Sequence, residues 1–233
     1  SSYMLSKIWS SSIRFFLFKV LGKKRIIAHL LDDEEKKALY FAKNGYLQKV
    51  GWFNSYKNQQ PLDGSNNPIP WVTYPFLDFI GERIKSGFTI FEYGSGNSTL
   101  YFSKKVESLV TVEHDKEWFN QLKETVPNNV KLIYEPLEYG GRYADTANRV
   151  KQKFHVVIVD GRDRVNCCLR SVSALCQDGV IVLDDSERPQ YKSALETLQE
   201  KKFYRIDFWG IAPGVSHKKC TSIFYKNENC LDM

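Results

Sequence analysis

Cysteine is scarce in this chain and badly placed for cross-linking. The five residues (Cys167, Cys168, Cys176, Cys220, Cys230) are odd in number and form no Cys-x-x-Cys pair. That excludes a disulfide scaffold and argues against a thiolate zinc site, leaving reduced thiols in a cytosolic protein as the simpler expectation. Long apolar runs are also missing. The best stretch, Ile13 to Leu21, is interrupted by Arg14 and Lys19 and falls short of the roughly 20 residues a membrane span needs. Lys23-Lys24-Arg25 follows it where a small-residue cleavage site would stand, which argues against a signal peptide. Acid is absent from residues 1–31. Six of the 33 basic residues and none of the 27 acids lie there, so the rest of the chain balances at 27 of each. A neutral body with a basic arm lacks the basic face that a nucleic-acid-binding domain requires.

What is present is enough for a packed domain. The 233 residues are 42% hydrophobic, 14% aromatic and 26% charged, which suits one mid-sized domain with a tail. Leu5, Trp9, Ile13, Phe16 and Val20 fall at roughly helical spacing among the arm's basic residues. Two readings follow: a helix packed on the body or on a second subunit in a homodimer, or a basic amphipathic helix at an anionic membrane surface. Asp32-Asp33-Glu34-Glu35 opens a short helix, with its acids at the positive end and Gly45 as its stop. The Asn, Gln, Gly and Pro content of residues 54–70 predicts a surface loop. The expected division is therefore an N-terminal extension, 1–70, and a main domain, 71–233.

From Trp71 onward, short apolar runs alternate with amphipathic segments. The runs Phe88–Tyr93, Leu109–Glu113, Val130–Tyr134, His155–Asp160 and Val180–Asp184 predict strands, with helices near 97–105, 116–125, 142–152, 163–176 and 188–201 between them. Strands separated by helices give a parallel sheet covered on both faces. Phe203–Trp209 and Thr221–Lys226 are joined by a Gly/Pro loop without a helix and should pair antiparallel. The expected class is an α/β doubly wound sheet.

Between the first strand and its helix lies Glu92-Tyr93-Gly94-Ser95-Gly96-Asn97-Ser98-Thr99. Gly94 and Gly96 allow a sharp turn and a close approach of backbone to ligand. Thr99 stands where a dinucleotide loop has its third glycine, and no Gly-Lys-Ser/Thr follows, so NAD and P-loop nucleotide sites are disfavoured. Glu92 would repel a diphosphate but suits the ammonium of an amino-acid moiety. Glu113, closing the second strand in Val112-Glu113-His114-Asp115, suits the two hydroxyls of a ribose.

Together with Val159-Asp160-Gly161-Arg162 and Val182-Leu183-Asp184-Asp185, these motifs resemble the class I S-adenosylmethionine-dependent methyltransferases over about Trp71 to Lys226. The sequence departs from the family pattern in two places. Glu92 stands only two residues before Gly94, and Ser98 replaces the third glycine of the loop. The resemblance implies a Rossmann-like seven-stranded sheet with its last strand antiparallel, and S-adenosylmethionine as cofactor. It places Gly94, Ser95, Gly96, Asn97 and Ser98 along the methionine part and Glu113 on the ribose. His114 and Trp118 stand beside the ribose and adenine. Trp71 and Tyr74 are candidates to cap the cofactor, with core packing as the alternative.

Asp160 ends one strand and Asp184-Asp185 the next, and in this topology the two strands are neighbours. Three carboxylates on one rim call for a positive charge. Mg²⁺ is one answer, able to bind an acceptor's oxygens and lower a hydroxyl pKa. The arrangement resembles the metal-dependent O-methyltransferase branch of the family. Salt bridges from Arg162, Arg164 and Arg188 are the other answer. A hydroxyl acceptor needs a base, for which Asp160, His217 and His114 are candidates, whereas His29, His155, Cys167 and Cys168 read as structural. The leading expectation is O-methylation of a small molecule or glycan. Alternatives are aminopropyl transfer on the same fold and a non-catalytic membrane-peripheral scaffold. Neither Asn-Pro-Pro-Tyr nor Asp-Pro-Pro-Tyr, the signatures of amino-group methylation of nucleic acid, occurs in the chain.

Overall fold

A computed structural model of the chain describes residues 32–233. The expected helix of residues 5–31, with its choice between membrane surface and subunit contact, lies outside the described residues, as does His29. The chain divides into two compact units between Lys49 and Val50. The first holds α1 (Asp33–Asn44) and α2 (Tyr46–Lys49). Its start is a reciprocal cap: Glu35 N donates to Asp32 Oδ1 at 2.8 Å and Asp32 N to Glu35 Oε2 at 3.0 Å. Two orphan N–H groups of the first turn are thereby satisfied.

The second unit opens with α3 (Trp52–Asn58) and α4 (Tyr74–Arg83). Then come β1 (Thr89–Tyr93), α5 (Asn97–Ser103), β2 (Ser108–Glu113), α6 (Lys116–Leu122) and β3 (Val130–Tyr134). They are followed by α7 (Arg142–Arg149), β4 (Phe154–Val159), α8 (Arg164–Ser171), β5 (Leu175–Asp184), α9 (Lys192–Glu200), β6 (Tyr204–Gly210) and β7 (Lys219–Tyr225). The seven strands form one sheet in the order β3-β2-β1-β4-β5-β7-β6. All neighbouring pairs are parallel except those of β7, which runs antiparallel to both β5 and β6. The expected sheet and its antiparallel last strand are both present.

The two-residue period of a strand explains why the runs read as continuously apolar: both faces are buried. Phe91, Tyr93, Val110, Val112, Val157, Val159, Ile181 and Leu183 point to one face, where α7, α8 and α9 contribute Ala144, Cys167, Cys168 and Leu198. Ile90, Leu109, Val156, Ile158, Val180 and Val182 point to the other, against Phe76 and Ile80 of α4 and Phe102 of α5. Cys167 and Cys168 are thus core residues, and all five cysteines are free. His155 is structural as well. Its Nδ1 accepts Thr89 N at 3.0 Å, and its ring stacks on Phe88 at 4.8 Å.

Residues 50–70 belong with the sheet rather than with the arm, which differs from the expected division at 70/71. Trp52 Nε1 donates to Val215 O at 2.9 Å and Trp71 Nε1 to Pro213 O at 2.8 Å. Two indoles therefore pin the loop between β6 and β7. Gly214, at φ +69°, lies so close to Tyr56 N that a Cβ there would stand 2.9 Å from it. No described helix is long and apolar enough to cross a membrane.

Candidate active site

The strand order changes direction between β1 and β4, and a cavity lies beyond their carboxyl ends. Two glycines make it. Gly94, at φ +88°, follows β1 with its N–H on Val112 O at 3.0 Å. A Cβ on it would sit 2.9 Å from Gly161 Cα, and one on Gly161 would strike the Tyr143 hydroxyl. The turns after β1 and β4 are pressed together backbone to backbone, and only glycine allows it. The cavity above them holds about 400 Å³, within the range of small-molecule sites. Gly94 to Ser98 form its floor, Glu113 and Asp160 lie at it, and Trp71 and Trp118 stand on its rim.

Glu113 ends β2 and is buried. Its Oε1 accepts the N–H groups of His114 and Asp115, both at 2.8 Å, while Oε2 accepts Ser95 N at 3.2 Å and Ser95 Oγ at 2.9 Å. Asp115 then caps α6, accepting Glu117 N and Trp118 N at 2.9 Å each. That cap starts the helix carrying Trp118, whose Nε1 donates to Ser95 O at 2.8 Å. One short segment thus presents a carboxylate and a half-exposed indole to the same cavity. His114 is not among the lining residues; its ring meets Tyr143 edge-on.

Glu92 is also outside the lining. The period of β1 turns it to the face of Ile90, under α5, where it is wholly buried. Thr99 Oγ1 donates to its Oε2 at 2.5 Å and itself accepts Gly96 N at 3.0 Å, while Glu92 Oε1 has no partner. Burial pushes its carboxyl up to about 7, against the pull of nearby Ser98, Thr99 and Thr111 hydroxyls. The expected direct contact with a ligand ammonium is replaced by support of the loop from below.

At the other end the acids meet cations. Register places Asp184 opposite Thr221 on β7, with Lys219 two residues away on the same face. Thr221 Oγ1 donates to Asp184 Oδ1 at 2.7 Å, and Lys219 Nζ reaches Asp184 Oδ2 at 2.6 Å and Asp185 Oδ1 at 2.8 Å. Asp185, at φ +54°, offers Oδ2 to Arg188 at 2.6 Å and Arg164 at 3.3 Å. Asp160 Oδ1 pairs with Arg164 at 3.1 Å. Burial and the charge of Asp184 raise the Asp160 carboxyl, although Arg164 and Lys219 oppose them. Burial also works to raise Asp185, but Lys219, Arg164 and Arg188 outweigh it and hold the carboxyl below its usual range.

No protein-family model matches the chain, and no curated protein matches it. Among solved structures it is similar to the precorrin-8w decarboxylase of Methanobacterium thermoautotrophicum, with a TM-score of 0.50 and 14% identity over 73% of this chain and 97% of that one. The precorrin-6y C5,15-methyltransferase of Geobacter metallireducens GS-15 superposes with a TM-score of 0.52 and 13% identity, over 66% of this chain and 87% of the other. Identity this low speaks to fold alone. The chain has the class I methyltransferase fold.

Within that fold, the three aspartates take the second of the two answers, salt bridges in place of a metal. No group of three or more His, Cys, Asp or Glu among the described residues is arranged to hold a metal ion. The physical reason is the pairing just described. Both oxygens of Asp184 and of Asp185 are taken by Lys219, Thr221, Arg164 and Arg188, so Mg²⁺ finds no free carboxylate edge on Asp184 or Asp185, and Asp160 alone faces the cavity. Of the three arginines proposed as salt-bridge partners, Arg164 and Arg188 act as such. His217 is exposed in the β6–β7 loop and does not line the cavity. Tyr74 is buried in the core, whereas Trp71 reaches the rim. Sequence reasoning missed two features of the site. Gln59, Gln60 and Pro61 supply a wall, tied to α5 by Asn97 Nδ2 donating to Pro61 O at 2.9 Å. Their polar composition read only as loop. Lys219 was missed because nothing local distinguishes it from the exposed Lys218 before it. A larger hollow of about 770 Å³ lies between α9 and β6. Its polar lining is long surface chains such as Lys192, Glu196 and Gln199, and it lies away from the strand ends where the glycine loop and the carboxylates converge.

Proposed function

We propose that this chain is an S-adenosylmethionine-dependent methyltransferase acting on a hydroxyl of a small molecule or glycan in the cytoplasm. The observation that carries the reading is the convergence, in one cavity at the strand-order reversal, of the glycine loop, the Glu113 carboxylate, the Trp118 indole and Asp160. When bound, the cofactor supplies an electrophilic methyl group on a sulfonium. Glu113 would hold the ribose diol, the loop Gly94, Ser95, Gly96, Asn97 and Ser98 would hold the amino-acid end, and Trp118 would lie against the adenine. Glu92 acts on that loop through Thr99.

The remaining work is alignment and removal of one proton. Asp160 lines the cavity, and its raised pKa makes its ionised form a stronger base for the hydroxyl proton, so the proton transfer should gain as pH rises toward 8. Arg164 stabilises the carboxylate form and fixes its direction from 3.1 Å. Trp71 and residues 59–61 wall one side of the cavity. Aminopropyl transfer is the weaker reading, because a polyamine needs free carboxylates and only Asp160 among the three aspartates faces the cavity.

Calorimetric titration with S-adenosylhomocysteine tests the assignment. Micromolar binding by the wild type that is lost in Glu113→Ala is the expected result. Absence of binding by a folded wild type would leave the fold without this chemistry.

A further inference from the structure

An ionised carboxylate offers about four lone-pair sites. Those of Glu113 are all engaged: two main-chain N–H groups on Oε1, and the N–H and hydroxyl of Ser95 on Oε2. His114 Nδ1 crowds Oε1 further at 2.9 Å, without a hydrogen bond of its own. A diol offered to this carboxylate finds no open acceptor position, so one donor has to leave. Three of the four donors are main-chain groups held by the turn after β2 and by the glycine loop. The fourth is a hydroxyl on one rotatable bond. Ser95 lines the cavity, and its carbonyl is anchored by Trp118 Nε1 at 2.8 Å, so the hydroxyl can swing while the backbone stays.

We infer that the Ser95 hydroxyl is a stand-in for a ligand hydroxyl. It satisfies the buried Glu113 carboxylate in the ligand-free chain and gives up its place to a ribose, so Ser95 sets the affinity of the cavity for diol-bearing ligands. The inference rests on the proposed ribose contact of Glu113. Its energetic logic is a competition. Each binding event has to break a charge-assisted hydrogen bond before making its own, and removing the hydroxyl leaves a buried acceptor that a diol relieves.

The test is calorimetry on the full chain with three probes: S-adenosylhomocysteine, 5′-methylthioadenosine and the 2′,3′-dideoxy analogue of the latter. Ser95→Ala is expected to bind the first two about five- to tenfold more tightly than wild type, and the dideoxy analogue with unchanged affinity. Ser95→Cys, a weaker donor, falls between and carries the comparison if the alanine variant melts early. Unchanged or weaker binding of methylthioadenosine by Ser95→Ala, while the wild type still binds S-adenosylhomocysteine, overturns the stand-in and leaves the cofactor assignment intact. A gain shared equally by the dideoxy analogue overturns it too, since the benefit then comes from space and not from the carboxylate. A wild type that binds none of the three removes the cofactor assignment, and the inference with it.

Discussion

The buried carboxylates at the ends of β2 and β5 are handled in opposite ways. Glu113, at the β2 end, is satisfied entirely by neutral N–H and O–H donors. Asp184 and Asp185, at the β5 end, are satisfied mainly by Lys219, Arg164 and Arg188. Neutral donors can be exchanged for those of a ligand at small net cost, because one hydrogen bond replaces another. Buried cations cannot leave without stranding charge. One end is therefore built to trade partners and the other to keep them. Asp160 stands between, paired with Arg164 yet facing the cavity.

Removing Lys219 should break the comparison most severely. Lys219→Met leaves Asp184 and Asp185 short of a cation in a buried setting, and should cost about 3–5 kcal/mol in denaturant unfolding. A loss under about 1 kcal/mol would show the acids to be better solvated than their burial indicates. Glu92 comes next. Its carboxyl sits at about 7 in the folded chain against 4.5 as the ordinary value, so the folded state holds this proton more tightly than the unfolded one. Its contribution to stability is thus fully present below pH 4.5 and declines through pH 7, by about 3 kcal/mol in all. Glu92→Gln should flatten that slope in unfolding curves taken between pH 4.5 and 8; an unaltered slope would assign it to other groups.

Glu113→Gln keeps the shape but removes the charge, so stability should shift by about 1 kcal/mol while affinity for S-adenosylhomocysteine falls about tenfold. A stability loss of about 3 kcal/mol or more, like that expected from Lys219→Met, would erase the contrast between an exchanging end and a fixed one. Trp118→Phe deletes the bond to Ser95 O and should weaken binding roughly threefold to tenfold by the same calorimetry. The smallest effect is expected from Mg²⁺. Millimolar Mg²⁺ should leave both melting temperature and S-adenosylhomocysteine affinity unchanged, since the oxygens of Asp184 and Asp185 are already paired. A rise in either would return the aspartates to metal binding.

Most of the sheet was legible because strands buried on both faces carry unbroken apolar runs, as in Val156-Val157-Ile158-Val159, and the segments between them carry helical spacing. The floor of the cavity was legible for a different reason. Gly94 and Gly96 between an apolar strand and a helix mark a tight turn open to a ligand, and an acid at a strand end, such as Glu113 or Asp160, is costly unless it has work to do. Glu92 shows where such reasoning stops. Its spacing from Gly94 suggested a ligand contact, but its direction depends on which face of β1 receives α5.

By itself the sequence determined the alternation of strands and helices, the glycine turn and the positions of acids at strand ends, because these follow from local periodicity and backbone sterics. Only the tertiary structure decided what those acids meet. Lys219 is 35 residues along the chain from Asp184, and Pro61 is 36 residues from Asn97. Nothing local encodes such partners, since they are brought together by strand register and loop packing. Whether a carboxylate at a strand end binds a metal, a lysine or a ligand is settled by which charge the fold delivers to within 3 Å of it.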